Sequence, residues 1–179
     1  MEDKEFLEKF SQPDTKSYAF NQLVRKYQQK VYWHVRKMVI DHDDADDLTQ
    51  ETFVKVWQNL EKFKGESQLF TWIYRIATNE CLTFLKKKKT KFFLPIGDVS
   101  KELLRKLETS DYISGDEIAI KLQKALLKLP EKQRLVFNMK YYDDMKYEEI
   151  SEILGTSVGA LKASYHHAVK KIEEYMEQD

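Results

Sequence analysis

YEEISEILGTSVGALKASYHHAVKKI, Tyr147 to Ile172, reads as two short helices joined by a tight turn. Ile150, Ile153 and Leu154 form one apolar face. Gly155 ends the first helix, because only glycine enters the left-handed region at little cost. Thr156 or Ser157 offers a side-chain oxygen to cap the second. Val158, Leu161, Tyr165, Ala168 and Ile172 follow at steps of three or four, the spacing of a helix with one buried face. The opposite face carries Lys162, Ser164, His166, His167, Lys170 and Lys171, and Gly155 to Ile172 holds three lysines and no acid. Such a helix fits a DNA major groove, with lysines on phosphates and short side chains at base edges. An ordinary helical hairpin with a wet, basic face has the same pattern, so this window alone leaves both readings open.

Composition narrows the choice. The 179 residues suit one domain or two small ones. With 42% hydrophobic and 34% charged residues, the chain is that of a soluble, folded protein. Five glycines, three prolines and no hairpin signals predict an all-α fold of long helices. The opening residues are acidic and polar, unlike a secretory leader, and no apolar run reaches membrane-spanning length. The lone Cys81 excludes an internal disulfide and a cysteine-rich zinc site. No membrane insertion and a cytoplasmic location are expected. Formal net charge is zero, which argues against a tight, autonomous, nonspecific DNA binder. The zero hides a pattern: Asp41, Asp43, Asp44, Asp46 and Asp47 crowd one place, and Lys86 to Lys89 with Lys91 crowd another. Separate acidic and basic surfaces suit two kinds of partner.

Residues 1–16 carry at most a short helix. A long amphipathic helix is predicted from Ser17 to Val39 or Ile40, with Phe20, Val24, Tyr27, Val31, Val35 and Met38 on its apolar side. Residues 41–44 read as a connector, with Asp43 or Asp44 capping the next helix. Ala45, Leu48, Thr52, Val56, Trp57 and Leu60 supply that helix's buried side. Two or three acids would satisfy its N-terminus; five, followed by Gln50 and Glu51, exceed what helix chemistry needs. A metal site is the enzyme-like alternative, but no His or Glu cluster stands at matched spacing. Residues 61–67 form a loop, and Ser67 is placed to cap a helix from Gln68 to about Lys88. Its aromatics, Phe70, Trp72 and Tyr74, are core residues at least in part. Beside a basic helix end, such aromatics can also stack on unpaired bases while lysines hold the backbone. Residues 90–115 read as a flexible interdomain linker with a transient helix around Lys101 to Leu107, and Phe92 to Leu94 as a docking element. A second domain begins near Asp116, with Pro130 starting its second helix.

With these residues in place, the chain resembles the extracytoplasmic-function (ECF) group of bacterial sigma factors, the sigma-70 family's small two-domain initiation subunits of RNA polymerase. Asp43 to Trp57, DDADDLTQETFVKVW, is similar to region 2.2. Phe63 to Lys89, FKGESQLFTWIYRIATNECLTFLKKKK, is similar to regions 2.3 and 2.4, and Leu129 to Ile172 to region 4. The short pattern ASYHHAVKK is similar to Bacteroidetes members. The resemblance implies region 2 over 1–90, a linker over 91–115 and region 4 over 116–179. It implies a non-catalytic subunit without cofactor, metal or catalytic residues, whose partners are core RNA polymerase and promoter DNA. Asp46, Asp47, Gln50, Glu51 and Lys55 would meet the clamp helices of the polymerase beta-prime subunit. Phe63, Lys64, Trp72, Arg75, Asn79, Lys86 and Lys87 would hold the melted minus-ten element. Ser157, Lys162, Ser164, Tyr165, His166 and Lys170 would serve the minus-thirty-five duplex, while region 4 meets the flap of the beta subunit. The linker would thread toward the RNA exit path, and an anti-sigma factor is a further partner the family admits. The chain departs from the family in having Thr83 where many members carry aspartate, and a tail of lysines in place of arginines. Ser164, His167 and Val169 stand where arginines are common, which weakens bidentate guanine reading there.

Other classes fit less of the chain. An autonomous helix-turn-helix regulator would dimerise on palindromic sites, leaving Asp41 to Glu51 and Phe63 to Lys89 without a role. An adaptor without DNA contacts leaves the lysine run idle. The four histidines, His34, His42, His166 and His167, are local pairs at best, and neighbouring histidines on a helix face different directions.

Overall fold

Phe6 and Phe10, one helical turn apart, draw the start of the chain into a short helix, α1 (Asp3–Phe10), in the computed structural model, which describes residues 2–91, 98–109 and 116–178. Both rings are buried against α2 (Pro13–Val39). Lys26 and the Tyr27 hydroxyl donate to Asp3 at 2.8 and 2.9 Å and fasten the two helices. The second helix begins at Pro13, earlier than the Ser17 expected from apolar spacing. Proline at the first helical position has the right φ and lacks only an N–H that would be unpaired there anyway. Ala19, Leu23, Tyr27, Val31, Val35 and Met38 make its buried stripe.

Helix α2 stops at Ile40, which takes φ +66°, a conformation costly for a β-branched residue. Its N–H still reaches the Arg36 carbonyl at 2.8 Å, and its side chain is buried, which offsets the strain. This sharp turn lets α3 (His42–Asn59) start at once, so the expected connector is mostly helix. The cap is therefore Asp41, not Asp43 or Asp44: its Oδ1 accepts from the Asp44 N–H at 3.0 Å. A 3-10 turn, Leu60–Lys62, leads to a loop that turns at Gly65, φ +72°. Helix α4 (Leu69–Lys91) then runs three residues past the expected end.

The helix expected around Lys101 to Leu107 is α5 (Asp98–Thr109), and it is packed: Leu103 and Leu107, one turn apart, are buried in the main core. The docking expected of Phe92 to Leu94 falls outside the described residues, as do the side chains of Lys89 and Lys91. Asp116 caps α6 (Glu117–Lys128), accepting from the Ile118 and Ala119 N–H groups at 3.0 and 3.3 Å. Asp116→Ala is expected to lower the unfolding free energy by about 1 kcal/mol, read from urea denaturation, while Asp116→Asn leaves it nearly unchanged. Pro130 precedes α7 (Glu131–Phe137), and a wider π-type turn, Asn138–Tyr142, follows. Helices α8 (Tyr147–Leu154) and α9 (Val158–Met176) meet at Gly155, φ +64°, and the Ser157 Oγ accepts from the Ala160 N–H at 3.3 Å.

All elements among the described residues are helical. Helices α2, α3 and α4 pack on one another, and α6 and α7 pack on α9. A small cluster of Ala125, Leu126, Leu129, Phe137, Ala168 and Ile172 belongs to the rear helices alone. The larger cluster does not stop at the linker. It runs from Phe6 through α2, α3 and α4 to Met139, Met145, Ile150, Ile153 and Leu161, and α8 lies on α4.

Candidate polymerase and nucleic-acid interfaces

Asp46, Asp47, Gln50 and Glu51 are all exposed on α3, and the Gln50 amide donates to Asp46 at 3.0 Å. Lys55 stands apart from them, donating to Glu80 of α4 at 2.5 Å. Beside the acidic face lies an apolar groove of about 410 Å³ between α2 and α3, lined by Phe20, Val24, Phe53, Val54 and Trp57 among others. Val54 and Trp57 are 48% and 36% exposed. Trp57 was expected on the buried side. Instead Phe10 and Phe20 take the inner space, and Trp57 meets their rings edge-on at centroid distances of 5.4 and 4.9 Å. Val54 was missed because it lies off the helical stripe.

The loop after α3 and the start of α4 enclose a second cavity of about 410 Å³, lined by Lys62, Phe63, Lys64, Glu66, Ser67, Trp72, Arg75 and Glu152. Phe63 and Trp72 stand 5.3 Å apart. The Arg75 Nε is buried with no hydrogen-bond partner among the described residues. On the far side of Trp72 is a cavity of about 340 Å³ that Asn79 lines. The structure thus gathers Phe63, Lys64, Trp72 and Arg75 at one place and Asn79 next to it. Lys86 and Lys87 are exposed about 16 Å further along α4 at 1.5 Å per residue. Lys88 is engaged elsewhere, 3.1 Å from Asp44 and 3.6 Å from Glu102. Lys106 of α5 joins this network at 3.2 Å from Asp41 and 3.0 Å from Asp44. Part of the acidic cluster is therefore spent inside the chain. The Asp44 N–H and Lys106 hold the Asp41 carboxyl below its usual range against the opposing effect of burial.

On α9, Lys162, His166 and Lys170 share one exposed row at steps of four. Ser157 is occupied as the helix cap. Ser164 is half-buried. Tyr165 packs inward, stacked on Phe137 at 5.8 Å and edge-on to Tyr147 at 6.5 Å, and burial raises the pKa of its hydroxyl.

Sequence spacing missed a polar contact between the front and rear helices. His34 of α2 is wholly buried, its ring stacked on Tyr74 at 4.4 Å and its Nε2 hydrogen-bonded to Thr78 Oγ1 at 2.8 Å. Its Nδ1 lies 3.3 Å from a carboxylate oxygen of Asp143, and Lys37 donates to the other oxygen at 2.5 Å. Burial pushes the Asp143 carboxyl up, but His34 and Lys37 more than reverse this and hold it below the usual carboxylate range. The one local signal was a histidine inside an otherwise apolar stripe.

The Sigma-70 region 2 family matches residues 23–91, and the Sigma-70, region 4 family matches residues 119–172. The ECF RNA polymerase sigma factor SigW of Bacillus subtilis is 30% identical, over 88% of this chain and 89% of its own. The chain belongs to the ECF RNA polymerase sigma factors. The RNA polymerase sigma-H factor of Pseudomonas aeruginosa is 27% identical to this sigma factor over 98% of the present chain and 94% of its own. Two solved structures share its fold. The sigma factor RpoE of Bartonella quintana, in complex with the anti-sigma factor NepR, superposes with TM-score 0.68 at 22% identity, covering 89% of this chain and 98% of that one. CnrH, in complex with the cytosolic domain of CnrY, gives 0.65 at 24% identity, covering 91% and 90%. In this ECF sigma factor, α1 and α5 lie outside both matched regions. No helix among the described residues is long and apolar enough to cross a membrane.

Proposed function

We propose that this sigma factor divides its work between a core-binding, strand-trapping domain, residues 1–90, and a duplex-holding domain, residues 116–179, with 91–115 as the link. Asp46, Asp47, Gln50 and Glu51 meet the clamp helices of the polymerase beta-prime subunit, with Lys55 at the edge and the Val54–Trp57 groove supplying apolar area. The cavity of Phe63, Lys64, Trp72 and Arg75 takes an unpaired base of the minus-ten element. Asn79, Lys86 and Lys87 follow the strand along α4. The row Lys162, His166 and Lys170 faces the minus-thirty-five duplex, with Ser157, Ser164 and Tyr165 placing the helix, and the same domain meets the flap of the beta subunit. The protein is a non-catalytic, cytoplasmic subunit, and its region 4 follows the Bacteroidetes pattern. The complex of RpoE with the anti-sigma factor NepR supports a partner of that kind here.

The observation that carries this reading is the aromatic, cationic cavity beside α4, which offers stacking surfaces and cations together. Base capture outside the stack costs a few kcal/mol, offset by such contacts. Promoter-dependent transcription with added core polymerase tests it. Transcription that needs both components supports the reading; sequence-specific binding without core, and no initiation with it, overturns it. In the holoenzyme, Lys162→Ala with Lys170→Ala should lower the salt slope of binding to a minus-thirty-five duplex by about 2. An unchanged slope removes both lysines from the DNA.

A further inference from the structure

Asp143 stands on the turn between the π-type element and α8, and it is 109 residues from His34 and 106 from Lys37. The three side chains are 8%, 0% and 10% exposed respectively. Around Asp143 stand His34 and Lys37 from α2, Tyr142 from its own turn, whose ring lies 5.2 Å from the Lys37 ammonium, and Tyr74 behind His34. A buried ion pair adds little net stability compared with well-packed apolar residues, but breaking one partner strands a buried charge. Its effect is therefore to select one docking arrangement of the rear helices on the front ones.

That arrangement places Glu152 of α8 in the wall of the cavity formed by Lys62, Phe63, Lys64, Trp72 and Arg75. A carboxylate stands where a strand's phosphates would be attracted. We propose that Asp143, gripped by His34 and Lys37, is an electrostatic latch that keeps the rear domain over the base cavity, with Glu152 competing for the site until polymerase separates the domains. This rests on the proposed role of that cavity. While the latch holds, Glu152 stays in the cavity wall, so the free protein is closed to single strands.

Small-angle scattering of the full chain, without polymerase or DNA, tests the latch. The wild type should show a radius of gyration of about 16 Å, that of one compact body of this length. Asp143→Lys and Lys37→Glu should each raise it to about 20 Å, as for two bodies on a flexible tether of this length. The double exchange, Lys37→Glu with Asp143→Lys, should return it toward the wild-type value. Helix content by circular dichroism identifies any variant that has unfolded. Affinity for a single-stranded minus-ten oligonucleotide should rise about tenfold or more in Lys37→Glu. That variant adds negative charge, so bulk attraction cannot produce the gain. Folded single variants that stay at the wild-type radius overturn the latch. A larger radius without tighter oligonucleotide binding overturns the claim that closure blocks the cavity. Scattering depends on neither promoter nor core, so its failure is separate from a failure to initiate transcription.

Discussion

Asp46→Lys with Asp47→Lys is expected to reduce affinity for core polymerase about 100-fold or more. Both carboxylates are exposed, and Asp46 accepts a hydrogen bond from the Gln50 amide one turn away. Reversal therefore leaves the core of the chain intact. Near the start of α3 the lost carboxylates forfeit about 0.3–1 kcal/mol of helix-dipole stabilisation each. At an interface the same reversals convert attraction into like-charge contact, and about 1.4 kcal/mol per site suffices for tenfold each. The larger effect thus falls on assembly. Titration of labelled protein with core enzyme measures it, alongside a thermal melt of the free chain. Affinity within a factor of two or so of wild type would remove the α3 face from the interface.

Trp72→Ala is expected to lower open-complex formation by about 10- to 100-fold, from the 1–3 kcal/mol that base–aromatic stacking contributes. Trp72 forms a wall of both cavities beside α4 and packs on Phe63 at 5.3 Å. Its removal joins the cavities and takes away the flat surface. Core binding should be largely kept, because Asp46, Asp47, Gln50 and Glu51 line neither cavity. Trp72→Phe should keep most activity by retaining a ring. Permanganate reactivity of promoter thymines in the assembled holoenzyme reads the effect. Equal strand opening by wild type and Trp72→Ala would place base capture somewhere else.

The sequence showed most clearly what neighbouring residues determine. Gly155 and Ser157 act within one turn of where they stand, and both do what their types predict. The apolar stripe of α2 is likewise a local property. The start of α3 was misplaced because a buried isoleucine takes a left-handed turn, which no propensity favours. Trp57 was assigned inward because periodicity cannot know that Phe10, from a helix 47 positions earlier, fills the space. The α5 helix became stable through Leu103 and Leu107, whose partners lie in other elements. The contact of Asp143 with His34 and Lys37 is a meeting of distant segments, and nothing in spacing reveals it. For the candidate sites, the acidic face and the aromatic cavity were readable as groups. The roles of Ser157 and Tyr165 were less so, because capping and ring packing already occupy them.

The buried cluster that passes from α4 into α8 has a calorimetric consequence. Heating the free chain should melt front and rear helices together, as a single cooperative unit, since neither side keeps its full apolar contacts alone. Once parted, Ile150 and Ile153 lose their neighbours on the front helices, while the small cluster around Phe137 and Ile172 is untouched. A molecule opened away from polymerase would then be the preferred prey of proteases, and turnover would clear stray active copies before they wander onto DNA.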